Sequence, residues 1–499
     1  MHAGYLPVNS QNDGSLFFWH FPKKFISDKS RTVIWLNGGP GQSSLIGAWT
    51  EIGPFRFINK DTMVVNNGSW HFYANLLFID QPIGTGFSYA ENNRFVKELD
   101  VMAEHFVGFL ERYIEIFPKL LEDDIYLAGE SFAGQYIPYI AKAILEKRSP
   151  LKLHGLIIGS GWIDPVSLYD SYLPYAIANN LLKNDSELYT NVTQIVKKCE
   201  QAVVNGVHVF TNECNSVLDQ IMNNGIKNEY SSCINVYHIR QNASKPECGM
   251  KGPSEIKYVS AYLSRMDVMS SLHVNKKIRY WKDVTDPVYL AFQAANSRPS
   301  IEILPDLLRQ MPILIYIGEY DFICNHFGTE NMLNIMQWNG RVGFDLGSGL
   351  ISPSNPWIVE NESAGRIRYA RNLTYILFYN AGHMVPSNQA RRSQAMLHQF
   401  IQLNLTYPNN GTLDADYSKT NQKSYDSFKK MALVLTTMVV IAFISIGFTW
   451  FLLCKLRVHE IILSCQRLSL FRSKEQSVVY QRFRSLDDDS VAFDGDPST

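Results

Sequence analysis

Six short apolar runs, each closing on a turn-forming segment, constrain this chain more than any other feature. They are Thr32–Leu36, Leu76–Ile79, Ile125–Ala128, Leu156–Ile158, Ile313–Ile317 and Tyr375–Tyr379. Runs of this length with no apolar–polar alternation read as strands covered on both faces. Helical stretches lie between several of them, Glu98–Ile116 and Gln135–Leu145 among these. Strand alternating with helix predicts an α/β chain with a mostly parallel sheet and helices on both sides. Ligands of such sheets bind at the carboxyl ends of the strands, and the chemically informative residues fall there. The alternation stops between Asp164 and about Ile301, so residues 164–301 are expected to form an insertion or cap over the sheet.

Composition excludes several classes. With 46 Lys+Arg against 47 Asp+Glu the net charge is −1, without the basic surplus that nucleic-acid binding demands. At 46% hydrophobic and 19% charged residues, the chain can bury a large core and is no disordered polyelectrolyte. No internal period of the kind that marks repeat arrays is present.

Ala432–Leu453 is a stretch of 22 residues without a charge, about 33 Å long as a helix and sufficient to cross a bilayer core. Lys419, Lys423, Lys429 and Lys430 before it nearly balance Lys455, Arg457, Arg467, Arg472 and Lys474 after it, so basic flanks alone do not orient it. Eight Asn-x-Ser/Thr sequons do. Asn67, Asn184, Asn191, Asn242, Asn361, Asn372, Asn404 and Asn410 all precede the segment. Cys199, Cys214, Cys233 and Cys248 lie 15, 19 and 15 residues apart without Cys-x-x-Cys, which favours disulfides over zinc. Three pairings are possible, with the sequential one preferred. Residues 1–403 are therefore expected in an oxidising lumen, 404–430 as a stalk, 432–453 as a transmembrane helix and 455–499 as a cytosolic tail. Met1–Tyr5 has neither the basic nor the apolar region of a signal peptide, so the sequence is expected to begin inside a longer protein. Tyr480-Gln-Arg-Phe483 in the tail has the Tyr-x-x-apolar form that sorting adaptors capture, and Cys454 and Cys465 lie where palmitoylation is possible.

The chemistry centres on Ile125-Tyr-Leu-Ala-Gly129-Glu130-Ser131-Phe132-Ala133-Gly134-Gln135, a strand entering a tight Gly-x-Ser turn and leaving as a helix. Such a turn lifts a serine hydroxyl above the sheet edge as a nucleophile. A serine needs a base, and the base needs an orienting acid. Asp321 follows the strand Ile313–Ile317 and His383 follows Tyr375–Tyr379, giving the chain order Ser, Asp, His. Two backbone N–H groups should hold the oxyanion: that of Phe132, and one from Asn37-Gly38-Gly39-Pro40-Gly41. No Gly-Lys-Ser/Thr follows this loop, which sets aside phosphate binding.

Four motifs together, Trp35-Leu-Asn-Gly-Gly-Pro-Gly41, Gly129-Glu-Ser-Phe-Ala-Gly134, Asp321-Phe-Ile-Cys-Asn325 and Ala381-Gly-His-Met-Val-Pro386, resemble the serine carboxypeptidases. The resemblance runs from about Ala3 to Leu403 and implies an α/β-hydrolase fold and acidic-pH activity without metal or cofactor. Gly159-Ser-Gly-Trp-Ile-Asp-Pro165 and the membrane segment resemble the fungal, membrane-anchored branch. That branch trims C-terminal Lys and Arg from prohormone peptides in the trans-Golgi. By resemblance, Ser131, Asp321 and His383 form the triad, Gly39 and Phe132 donate to the oxyanion, and Asn37, Gly38, Glu51 and Glu130 bind the substrate's terminal carboxylate. Gln42 stands where the family often has cysteine, which puts the tie between lid and sheet in doubt; Phe132 and Ser160 replace a frequent tyrosine and asparagine. Cys324 is expected to be a free buried thiol near the site, inert or mercurial-sensitive rather than nucleophilic. Asp164 and Asp170 are candidates for selecting a basic residue. Esterase or acyltransferase chemistry and a non-catalytic luminal receptor are the competing readings.

Overall fold

The computed structural model describes residues 1–403 apart from 26, 205–207, 228–229, 246–248 and 251. The stalk, membrane segment, tail, Asn404, Asn410, Cys454, Cys465 and Tyr480 lie outside the described residues.

Ten strands follow one another across the main sheet: β1 (His2–Pro7), β2 (Gly14–Phe21), β3 (Arg31–Leu36), β4 (Asn75–Asp80), β5 (Asp124–Glu130), β6 (Lys152–Gly159), β7 (Ile313–Gly318), β8 (Asn355–Val359), β9 (Glu362–Ala370) and β10 (Leu373–Phe378). Their spatial order is β1-β2-β4-β3-β5-β6-β7-β10-β9-β8. The six central strands, β4 to β10 in that order, are parallel. Antiparallel strands extend both edges, β2 on β4 and β9 on β10. A search for strand–helix alternation passes over these edges because no helix separates β1 from β2 or β8 from β9.

One row of the register explains the uninterrupted apolar runs. Leu77, Ile34, Leu127, Leu156, Ile313 and Leu373 stand side by side across the six parallel strands and all are buried. Burying one such side chain contributes about 1.5–3 kcal/mol. These residues pack against helices α2 (Leu99–Ile116) and α3 (Ala133–Glu146) through Phe106, Leu110, Ile137 and Ile140. Their neighbours in sequence, such as Trp35, Phe78, Ala128, Ile157 and Leu314, face the opposite core with Leu45 and Trp49 of α1 (Leu45–Thr50) and Met396 and Leu397 of Ala390–Phe400. Both faces are covered, so period-2 alternation has no reason to appear.

Between β6 and β7 the chain forms α4 (Pro165–Ala178), α5 (Glu187–Val204), α6 (Asn212–Asn224), a short hairpin from Cys233–Ile234 to Asn242–Ala243, and α7 (Ile256–Leu263). A Cys199–Cys214 disulfide joins α5 to the first turn of α6, as sequential pairing requires. Cys233 is also disulfide-bonded, while Cys248 lies outside the described residues. Asp164 caps α4 by accepting from the Val166 N–H at 3.3 Å and the Ser167 hydroxyl at 2.5 Å. Both carboxylate oxygens thereby accept local bonds, the capping role that a residue just before a helix can take.

Candidate active site

Ser131 sits between β5 and α3 with φ +62°, a left-handed conformation that costs a non-glycine residue energy. Three main-chain bonds hold it there: its N–H donates to Gly159 O at 3.1 Å, and its carbonyl accepts from the N–H groups of Gly134 and Trp162, both at 2.9 Å. Gly38 packs so tightly on this turn that a Cβ would lie 2.4 Å from the Phe132 nitrogen. The next residue, Gly39, has φ +105°, where side chains are strained, and the Gly39-Pro40 peptide is cis. The glycine loop therefore brings its backbone against the N-terminal end of α3, as an oxyanion hole requires.

His383 follows β10, and its Nδ1 lies 2.8 Å from Oδ2 of Asp321, which follows β7. Both are buried. With the Asp321 carboxylate as acceptor, Nδ1 is the nitrogen that donates in this bond. Asp321 Oδ1 accepts from the Cys324 N–H at 3.1 Å. The His383 main chain is clamped as well: its N–H donates to Tyr237 O at 2.7 Å and its carbonyl accepts from the Ser160 hydroxyl at 2.8 Å. Ser160 follows Gly159, the acceptor of the Ser131 N–H, so one strand end ties the serine turn to the histidine loop. The Tyr237 ring stacks on the imidazole with centroids 5.0 Å apart and planes 27° from parallel. Tyr237 and Ser160 come together only in three dimensions, and the sequence marks neither as a partner of His383.

Beside the serine lie Asn37, Glu51 and Glu130, all buried. Asn37 has one orientation. Its Oδ1 accepts from Trp35 Nε1 at 2.8 Å and the Gly47 N–H at 3.0 Å, so Nδ2 turns toward Glu130 Oε1 at 3.0 Å and Glu51 Oε1 at 3.5 Å. Oε2 of each glutamate is buried and meets no donor among the described residues, leaving a proton between them or a ligand to satisfy it. Burial pushes both carboxyls up, and the proximity of Glu51 and Asp321 pushes Glu130 well above the ordinary range. Cys324 is buried, unpaired and held well above the usual thiol range by burial, which disfavours the thiolate a nucleophile needs.

The departure at Gln42 has its own solution. Gln42 and Val284 form an antiparallel bridge, flanked by Ser43 N–H to Asp283 O at 2.9 Å and Thr285 N–H to Gly41 O at 3.0 Å. Trp281 Nε1 adds a bond to the Ser43 hydroxyl at 3.1 Å. Main-chain pairing thus ties residues 283–285 to the glycine loop without a disulfide at Gln42. The Phe132 ring is held in an aromatic stack, parallel to Phe210 at 5.1 Å. Next to the histidine loop, Tyr237, Met384, Ile46, Gln42 and Asp283 line a cavity of about 620 Å³. An adjoining cavity of about 500 Å³ has Tyr237, Met384, Arg240 and Glu255 in its walls.

A nucleophile turn, a histidine–carboxylate pair and a strand-end glycine loop on a parallel sheet of this order make the fold that of an α/β hydrolase. A model of the serine carboxypeptidase family matches residues 1–403, and the chain belongs to that family. The pheromone-processing carboxypeptidase KEX1 of Coccidioides posadasii is 46% identical over 419 residues, 81% of this chain and 65% of the relative. The chain thus spans slightly less than two thirds of that relative's length. The protein of the same name from Fusarium vanettenii is 42% identical over 483 residues, 90% of this chain and 78% of the relative. Among solved structures, Kex1(Δ)p, a prohormone-processing carboxypeptidase from Saccharomyces cerevisiae, superposes with a TM-score of 0.74 at 34% identity, covering 80% of this chain and 91% of that one.

Proposed function

We propose that this chain is a serine-type carboxypeptidase that removes C-terminal residues, preferentially Lys and Arg, from peptides and prohormones at acidic pH. The observation that carries the reading is the buried carboxyl pair Glu51/Glu130 with Asn37, adjoining Ser131. Two carboxyls in one apolar site keep a proton between them, because ionising both would bury two like charges. The protonated carboxyl, Asn37 Nδ2 and the Gly38 N–H then present donors to a terminal carboxylate. A substrate ending in an amide has no anion to offer them.

In this mechanism Ser131 Oγ bonds to the scissile carbonyl carbon while His383 Nε2 takes its proton. The N–H groups of Gly39 and Phe132 hold the oxyanion. The C–N bond breaks as His383 returns the proton to the leaving amino acid, and water, activated by the same imidazole, opens the acyl-enzyme. Asp321 keeps the imidazole in the required tautomer.

Residues 1–403 are assigned to the lumen of the late secretory pathway with 164–301 as the cap, 404–430 as the stalk, 432–453 as a single type I membrane span and 455–499 as a cytosolic tail retained at the trans-Golgi network through Tyr480. Two observations support a luminal catalytic part: the Cys199–Cys214 disulfide, and the surface exposure of Asn67, Asn184, Asn191, Asn242, Asn361 and Asn372 as glycan acceptors. N-blocked dipeptides ending in Lys, Arg or Phe, each as acid, amide and ester, test the activity at mildly acidic pH. Free acids with basic ends should be the best peptides. Equal turnover of acids and amides would overturn the reading, and ester-only turnover would favour an esterase.

A further inference from the structure

The side chain of Arg56 joins the two halves of this site. It lies on a hairpin, Phe55–Asn59 paired with Thr62–Val65, that follows α1 and Glu51. Its Nη2 donates to the Glu51 carbonyl at 2.6 Å and to the Pro386 carbonyl at 2.9 Å, and Nη1 points to the Ser387 carbonyl at 3.5 Å. Pro386 and Ser387 belong to the turn immediately after His383. One half-buried guanidinium thus bridges the peptide that carries Glu51 and the loop that carries the histidine. The Glu51 carbonyl also accepts from Asn66 Nδ2 at 2.9 Å, so its peptide plane is set from two sides.

Its charge is unevenly placed with respect to the carboxyl pair. The charges of Arg56 and His383 favour an ionised Glu51, whereas Glu51 and Asp321 disfavour an ionised Glu130; Tyr316 adjoins both carboxyls electrostatically, and Tyr237 and Cys324 adjoin Glu130. Arg56 itself is faced by Glu51 and Glu255. A fixed cation near one member of a proton-sharing pair draws the negative charge to that member. The other member then holds the proton.

We propose that Arg56 is a positioning residue for the carboxylate site: it clamps the Glu51 backbone to the His383 loop and keeps the pair's negative charge on Glu51, making Glu130 the donor to the substrate. This rests on the assignment of Glu51 and Glu130 to the substrate carboxylate. Guanidinium suits the task because it donates to several carbonyls in one plane and never titrates.

The test is kcat/KM against pH for a blocked dipeptide acid and its ester, with Arg56→Gln, Arg56→Lys and Glu130→Gln beside the native enzyme. Arg56→Gln should raise KM for the acid far more than for the ester. It should also move the alkaline limb of the acid profile upward by about half a pH unit or more, because a lost cation lets the pair hold its proton longer. Arg56→Lys should return the limb close to its native position while recovering KM only in part. Equal losses on acid and ester, an unmoved limb in Arg56→Gln, or a lysine variant no better than glutamine would each overturn the proposal. Should Arg56→Gln not fold, Arg56→Met, which keeps the stem's packing, takes its place. If Glu130→Gln leaves the alkaline limb of the acid profile where the native enzyme has it, the carboxylate assignment fails instead.

Discussion

Replacing Glu130 with glutamine exchanges a titrating donor for a permanent one at nearly constant volume. On the proposed function, the Glu51/Glu130 pair of the native enzyme loses its shared proton as pH rises, and the substrate carboxylate then meets two buried negative charges. Burial and the neighbouring Glu51 and Asp321 hold Glu130 well above the ordinary carboxyl range, so this loss belongs to the alkaline limb. One charge-assisted hydrogen bond is worth about 1.5–3 kcal/mol, or roughly 10- to 150-fold in affinity. KM for a blocked dipeptide acid should therefore climb by about that factor across the native alkaline limb, while in Glu130→Gln it should stay nearly flat. At acidic pH the variant should bind somewhat more weakly, by about 1 kcal/mol, because a neutral amide donates less strongly than a carboxylic acid. Steady-state kinetics from about pH 4 to 8 decide the matter, with the corresponding ester reporting the triad alone. An alkaline limb unchanged in both Glu130→Gln and Glu51→Gln would refute the shared-proton argument.

Ser131→Ala should lower hydrolysis by about 10⁴-fold or more with melting temperature near native, and retention of a few per cent of the activity would reject Ser131 as nucleophile. Asp80, buried at the end of β4, accepts from the Ser43 hydroxyl and from the Ser44 and Phe87 N–H groups, yet burial pushes its carboxyl up to about 6. The folded state then holds a proton that the unfolded chain releases from about pH 4 upward, so stability should fall by about 3 kcal/mol between pH 4 and 6 and level off above. Urea titrations across that range should find a flatter dependence in Asp80→Asn. Removing the Cys199–Cys214 bridge by a double serine substitution should cost about 3 kcal/mol, as expected for a closed loop of about 15 residues, and an unchanged urea midpoint would count against that figure. Tyr480→Ala should send active enzyme from the Golgi to the vacuole or cell surface; unaltered Golgi staining would reject Tyr480 as the sorting determinant.

What the sequence by itself determined is local in origin. A strand covered on both faces must be apolar without alternation, so β3 to β7 and β10 are legible from a handful of residues each. The turn at Ser131 needs small neighbours and a helix start, which Gly129, Ala133 and Gly134 announce. The positions of Asp321 and His383 follow from counting strands. Lateral contacts between distant residues were decided by the order of strands in the sheet, and no local pattern encodes that order. Asn37 faces the carboxyl pair because Trp35 and Gly47 occupy its carbonyl oxygen. Glu51 just after α1 meets Glu130 at the end of β5, and no spacing rule foretells that meeting. Tyr237 reaches His383 from the cap, Ser160 reaches it from β6, and Arg56 reaches the same loop from a hairpin more than three hundred residues away in sequence. The contact made at Gln42 likewise lies outside the motif, in a main-chain bridge to Val284. Every residue type but proline can both donate and accept a backbone hydrogen bond, so a tie made of them leaves almost no mark in the sequence that forms it.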